Sequence, residues 1–148
     1  MPPIKPAAAD EFVFHGTRMR IHLRTPQTGG AYGLIEMWHP PAVGPALHVH
    51  PRGPESFLIL QGRYTFTRDG ETIVAEAGTS VAVPAGVAHR YQVGSAGGHA
   101  IVICPPGLED YFEQVAERSA AVPLALGSEF TLAGEHGQEF LERGDHWS

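Results

Sequence analysis

Eighteen Gly and 13 Pro break this 148-residue chain into short apolar runs, and that punctuation is its strongest constraint. Neither residue sits comfortably inside a long helix or strand, so each break marks a turn. The runs between them read as strands. Met19, Ile21 and Leu23 alternate with Arg18, Arg20, His22 and Arg24, a period of two with one polar face. Gly33 to Trp38 follows, stopped by His39-Pro40-Pro41, then Leu47 to His50. Glu55 to Gln61 is apolar at Phe57 and Ile59 and again at Leu58 and Leu60, which predicts burial on both faces. Tyr64–Arg68 and Glu71–Ala75 flank Asp69-Gly70, a type I′ hairpin signal. Ser80–Val83, His89–Val93 and His99–Ile103 complete the series. Short strands at such regular spacing predict an all-β antiparallel sandwich or barrel.

The pattern changes after Pro105-Pro106-Gly107. Leu108, Phe112 and Val115 fall at helical spacing, with Glu109 and Asp110 in the first turn and Arg118 near the end, which suits the helix dipole. A second short helix is predicted over Ser128 to His136, ended by Gly137. One domain results: a flexible lead at 1–10, a barrel at 11–104, and a helical or irregular extension at 105–148 packed on it. The acidic residues of that extension read as a solvated face.

A formal charge of −6 has the wrong sign for nucleic-acid backbones or a polybasic membrane anchor. A single cysteine excludes an internal disulfide and a zinc-finger arrangement. No run is long enough to span a membrane as a helix, and the N-terminal residues lack the pattern of a secretory signal. The expected setting is the cytoplasm, with Cys104 reduced and inert at a strand end.

Nine His is a high count for this length. His48 and His50, two apart on one strand, point to the same face and can chelate one ion. Glu55 follows after a turn, and His89 lies after Pro84-Ala85-Gly86. Imidazoles with a carboxylate and no thiolate are ligands for Fe, Mn, Ni, Cu or Zn. The other histidines read as bland: His22 exposed on an arginine-bearing face, His15, His39, His136 and His146 in loops, and His99 near the site only if it turns inward.

The block His48-x-His50-x4-Glu55-x6-Gly62 resembles the first motif of the cupin superfamily. Gly78-x5-Pro84-x-Gly86-x2-His89 resembles its second. A closer likeness is to single-domain quercetin 2,3-dioxygenase-like cupins, through Gly107–Val115 and the segment Glu135–Phe140. The resemblance implies a double-stranded β-helix, or jelly roll, holding one divalent metal through His48, His50, Glu55 and His89. Two positions depart from the family pattern. Gly44 stands closer to His48, and Val93 occupies a place where Asn is frequent.

If Glu55 and His89 face inward, strand alternation turns Phe57, Ile59, Tyr91 and Val93 inward as well. Met37, Trp38, Tyr64 and Phe66 are further candidates for the lining. Such a chamber suits a small, mostly apolar or aromatic substrate that presents one oxygen to the metal. Glu55 would serve as ligand and base, and Tyr91 as acid or base. The quercetinase resemblance implies a dioxygenase acting with O2 on an enol or phenol. A non-redox cyclase or isomerase of a polyketide-type pathway, and a small-molecule-binding cupin without catalysis, are the competing expectations. A homodimer is expected from the apolar strand at Glu55–Gln61, with Phe12–Leu23 the strand that the resemblance would carry across to a partner.

Overall fold

The structure is a computed structural model that describes residues 1–5 and 10–148. The Pro6–Ala9 part of the expected flexible lead lies outside the described residues. Among the described residues, nine strands and two α-helices follow in order. These are β1 (Asp10–Phe14), β2 (Thr17–Leu23), β3 (Gly33–His39), β4 (His48–Val49), β5 (Glu55–Arg68), β6 (Glu71–Glu76), β7 (Ser80–Val83) and β8 (His89–Cys104). Helix α1 (Leu108–Arg118), helix α2 (Leu126–Glu135) and β9 (Glu139–Phe140) complete the chain. All strand pairs are antiparallel, and the sheet curls into an open jelly-roll barrel.

Strands β5 and β8 organise the barrel. Each was expected as two shorter strands, interrupted at Gly62 and near Gly97-Gly98. Instead both run unbroken and pair along their length, bending together where Gly62 faces Gly98. Gly62 adopts a φ of +87°, and a side chain there would meet the Gly97 carbonyl oxygen at 2.3 Å. Glycine at this site therefore makes a bulge rather than a strand end. The bulge also shifts the phase of the alternation, so Phe57 and Ile59 face inward before it and Tyr64 and Phe66 after it.

The type I′ turn is present, with positive φ at both Asp69 and Gly70. Phe12–Leu23 forms a hairpin, β1 on β2, that pairs with β3 in its own chain. The outward face of β5 is not buried as expected: Leu58 and Leu60 are exposed, beside exposed Ile103 on β8.

The extension departs from a simple helical appendage. Its last strand, β9, pairs with β4, so residues 139–140 join the sheet beside His48. Two of its acidic residues are not solvated but fully buried. Glu109 accepts hydrogen bonds from the Thr25 backbone N–H and, at 2.9 Å, from the Thr25 hydroxyl. Glu129 is the second, and it anchors the C-terminus as described below. A buried carboxylate persists only where donors surround it, which a count of charges along a tail cannot reveal.

Candidate metal centre

Strand β4 and the extended residue that follows it place His48 and His50 on the same inward face, both buried. Glu55 opens β5 and His89 opens β8, and His48 is the register partner of His89. The four side chains are buried, and one donor atom from each lies within 4.8 Å of the other three. Donors bound at ~2.1 Å to one ion stand roughly 3 to 4.2 Å apart, so the cluster has the dimensions of a coordination shell.

The hydrogen bonds decide what those donors offer. His48 Nδ1–H donates to the Ala46 carbonyl at 2.7 Å, and His89 Nδ1–H donates to the Val87 carbonyl at 3.0 Å. Each neutral ring then carries its lone pair on Nε2, aimed into the cluster. His89 Nε2 lies 3.1 Å from Glu55 Oε1, and His50 Nε2 lies 3.3 Å from the same oxygen. Among the described residues, neither nitrogen of the buried His50 ring has a hydrogen-bond partner. Acceptors converging on one point, one of them orphaned, call for a cation between them. The residues fit a divalent metal.

Burial is the largest influence on His48 and drives its pKa well below the ordinary imidazole value, with His89 and His50 adding to the effect. A neutral imidazole and an ionised carboxylate are the forms that ligate metals.

Beside the cluster lies a cavity of about 10 Å3, room for roughly one water molecule. Met37, Phe57 and Tyr91 line it, as expected from the sequence, with His48 and Glu55. Ile59, Val93, Tyr64 and Phe66 are buried but belong to the surrounding core. Trp38 is a correction. It faces out of the barrel, stacked on His99 at 4.8 Å, with the Arg18 guanidinium 4.0 Å from its ring centroid. His99 does not turn toward the site; it pairs with Glu36 on that outer face, as does His22.

Apart from Pro45, the remaining lining comes from the extension: Tyr111, Phe112, Gln138, Phe140 and Trp147. These were missed because nothing local in residues 105–148 marks a return to the barrel mouth. The Phe140 ring stands 5.3 Å from His48, and Trp147 packs edge-on against Tyr91 at 6.0 Å. A hub at Glu129 holds this cap down. His146 and His15 each donate from Nε2 to one of its oxygens at 2.6 Å, and the Tyr111 hydroxyl donates at 2.8 Å. The His146 Nδ1 lone pair accepts the Ala46 N–H at 3.1 Å. With every ring nitrogen of His146 engaged, this second His–Glu group is a staple rather than a metal site.

Comparison with known proteins bears on the barrel. Residues 34–105 match the cupin domain family. The matched stretch runs from β3 through β8, and the barrel has a cupin-like fold. Among solved structures, an RmlC-like cupin from Shewanella frigidimarina NCIMB 400 superposes with a TM-score of 0.57 at 21% identity, covering 70% of this chain and 88% of that one. A predicted oxalate decarboxylase from Thermotoga maritima gives 0.55 at 20% identity, covering 66% and 92%. A variant of Streptomyces PAC13 with uridine gives 0.54 at 14% identity, covering 72% and 84%. No curated protein sequence matches the chain. These likenesses show the fold.

In this barrel the residue least legible in the sequence is His39. Expected in a loop beside Pro40, it is the last residue of β3 and is buried. Its Nδ1 lies 2.6 Å from the Tyr64 hydroxyl and its Nε2 lies 3.1 Å from the Tyr91 hydroxyl. Burial, with a smaller contribution from His99, lowers its pKa to about 3, so the ring is neutral. Burial also raises both phenols, Tyr91 most strongly, where Glu55 adds to the effect. Both phenols are therefore held in the neutral form. No helix among the described residues is long and apolar enough to cross a membrane.

Proposed function

We propose that this cupin is a metal-dependent enzyme for a small, mostly apolar enol or phenol, with His48, His50, Glu55 and His89 as the ligands. The observation that carries the reading is the convergence of three imidazole lone pairs and one carboxylate in a buried cluster with an orphaned His50. A bound divalent ion would supply Lewis acidity at a substrate oxygen and, if redox-active, the capacity to engage dioxygen. The chain's own residues set the rest. Phe57, Met37 and Phe140 exclude water, Tyr91 offers a hydroxyl, and Glu55 is the carboxylate nearest a substrate proton.

A quercetinase-like dioxygenase is the leading activity on the motif resemblance. The non-redox cyclase or isomerase reading draws support from the neutral Tyr91 donor, which can stabilise an enolate without oxygen. Element-resolved metal analysis followed by O2 uptake with flavonol- and enol-type compounds separates them. Turnover that consumes O2 with Fe, Mn, Ni or Cu supports the first. Turnover that persists without air supports the second, and a chain that binds no metal overturns both.

The cytoplasmic setting fits the single buried thiol, Cys104. The homodimer is supported by the exposed apolar row of Leu58, Leu60 and Ile103 on adjacent strands. Light scattering should give twice the 15.9 kDa chain mass, and a Leu58→Glu variant should give the monomer.

A further inference from the structure

His39, Tyr64 and Tyr91 form a buried hydrogen-bonded row that the metal cluster does not use. A neutral imidazole has one N–H and one lone pair, so one phenol must donate to His39 and the other must accept from it. The two lengths differ in a telling way. Hydroxyl donors make bonds of about 2.7 Å, whereas ring N–H donors make bonds of about 2.9 to 3.0 Å. The 2.6 Å contact to Tyr64 fits a hydroxyl donor, and the 3.1 Å contact to Tyr91 fits an N–H donor.

We infer that Tyr64 donates its hydroxyl hydrogen to His39 Nδ1, that His39 Nε2–H donates to the Tyr91 oxygen, and that Tyr91's own hydrogen is thereby turned toward the chamber. His39 and Tyr64 are positioning residues; Tyr91 is the group that would touch a ligand. Among the described residues His39 is the only hydrogen-bond partner of the Tyr91 hydroxyl, so nothing else competes for that hydrogen. The row makes the chamber selective for a ligand oxygen that accepts, an enolate, phenolate or carbonyl beside the metal cluster. A ligand that only donates at this point is disfavoured, because the Tyr91 oxygen already receives Nε2–H. No proton is transferred, and both phenols stay neutral.

The backbone is shaped for this row. Gly98 is the register partner of His39, and a side chain on it would stand 2.5 Å from the Tyr64 hydroxyl. The bare glycine is what lets that hydroxyl reach Nδ1.

This inference rests on the chamber being the substrate site, but its test does not depend on activity. Imidazole 15N correlation spectra of the full-length chain with Zn2+, a diamagnetic ion, report which ring nitrogen carries hydrogen. His39 is identified by the signal lost in His39→Gln. The expected result is the Nε2–H tautomer in the native chain, with that preference lost in Tyr64→Phe and in Gly98→Ala. The Gly98 variant keeps all three side chains and serves if Tyr64→Phe folds poorly. An Nδ1–H tautomer, a charged ring, or a tautomer unchanged in both variants overturns the inference. Zinc stoichiometry on the same sample tests the metal reading separately: zinc bound with the wrong tautomer sinks only the row, and the right tautomer without zinc sinks only the metal site.

Discussion

His48 and His89 face each other across β4 and β8 as register partners, their rings 4.2 Å apart, and each is tied through Nδ1 to the carbonyl two residues before it. The repeated motif gives both rings the same tautomer without any carboxylate support. A backbone acceptor cannot rotate away or titrate, so the two Nε2 lone pairs are fixed in direction before any ion arrives. Preorganisation of this kind reduces the conformational entropy lost on binding.

Replacing His48, His50 or His89 by Ala should therefore abolish tight metal binding while leaving the sheet intact. Loss of a supporting hydrogen bond typically costs ~10–100-fold in affinity, and loss of a ligand should exceed that range. Metal content by elemental analysis, with far-ultraviolet circular dichroism to confirm folding, measures both. Metal retained in all three variants would remove the assignment.

Glu55→Gln separates two roles of one residue. Gln keeps the shape and one ligating oxygen but loses the charge and the basicity. If Glu55 also takes a substrate proton, kcat should fall by ~100-fold or more while metal content falls less, within the usual size of general-base catalysis. Equal losses would leave Glu55 a ligand only.

The four-residue cluster is legible because its signal is local: a two-residue spacing and a carboxylate after the next turn. The inward faces of Phe57 and Tyr91 were legible for the same reason, since alternation propagates from Glu55 and His89. Trp38 was misread because strand parity was not carried along β3, where Met37 and His39 face in and Trp38 must face out. His39 itself was misread because Pro40 marks a turn, yet the turn begins one residue later. The cap was not legible at all. Phe140 and Trp147 reach the chamber through long-range pairing of β9 with β4 and through the His146–Glu129 contact, and no spacing within the tail encodes either.

Glu129 predicts an acid-sensitive core away from the metal. Burial would raise its carboxyl, but His146, His15 and Tyr111, the polar groups facing it from the C-terminus, the β1–β2 turn and α1, hold its pKa down to about 2. A folded-state pKa below the unfolded value means the stabilisation is fully present above the ordinary carboxyl value of 4.5 and is lost as pH falls from there toward 2. Glu129→Gln should cost about 2 kcal/mol at neutral pH, the scale of hydrogen bonds to a charged group. Urea denaturation against pH should show the native chain losing stability more steeply than the variant in that acid window. Parallel curves would mean that the staple does not depend on the charge.

Trp147 tests whether the cap controls entry. With space for about one water in the cavity, a substrate needs part of the lining to give way, and the C-terminal segment supplies Phe140 and Trp147 to that lining. That segment is joined to the metal cluster through Ala46, whose N–H donates to His146 while its carbonyl receives His48 Nδ1–H. Trp147→Ala removes the ring that packs on Tyr91 and lies parallel to His39 at 6.0 Å. The ring is only half-buried, so the stability cost should be roughly 2 kcal/mol, below the 3–5 kcal/mol of a core Trp. The more decisive readout is kinetic. A chelator should strip bound metal several-fold faster from Trp147→Ala than from the native chain, because local opening of the cap sets the rate of access. An unchanged stripping rate with a lowered melting temperature would reduce Trp147 to a packing residue and place the entrance elsewhere.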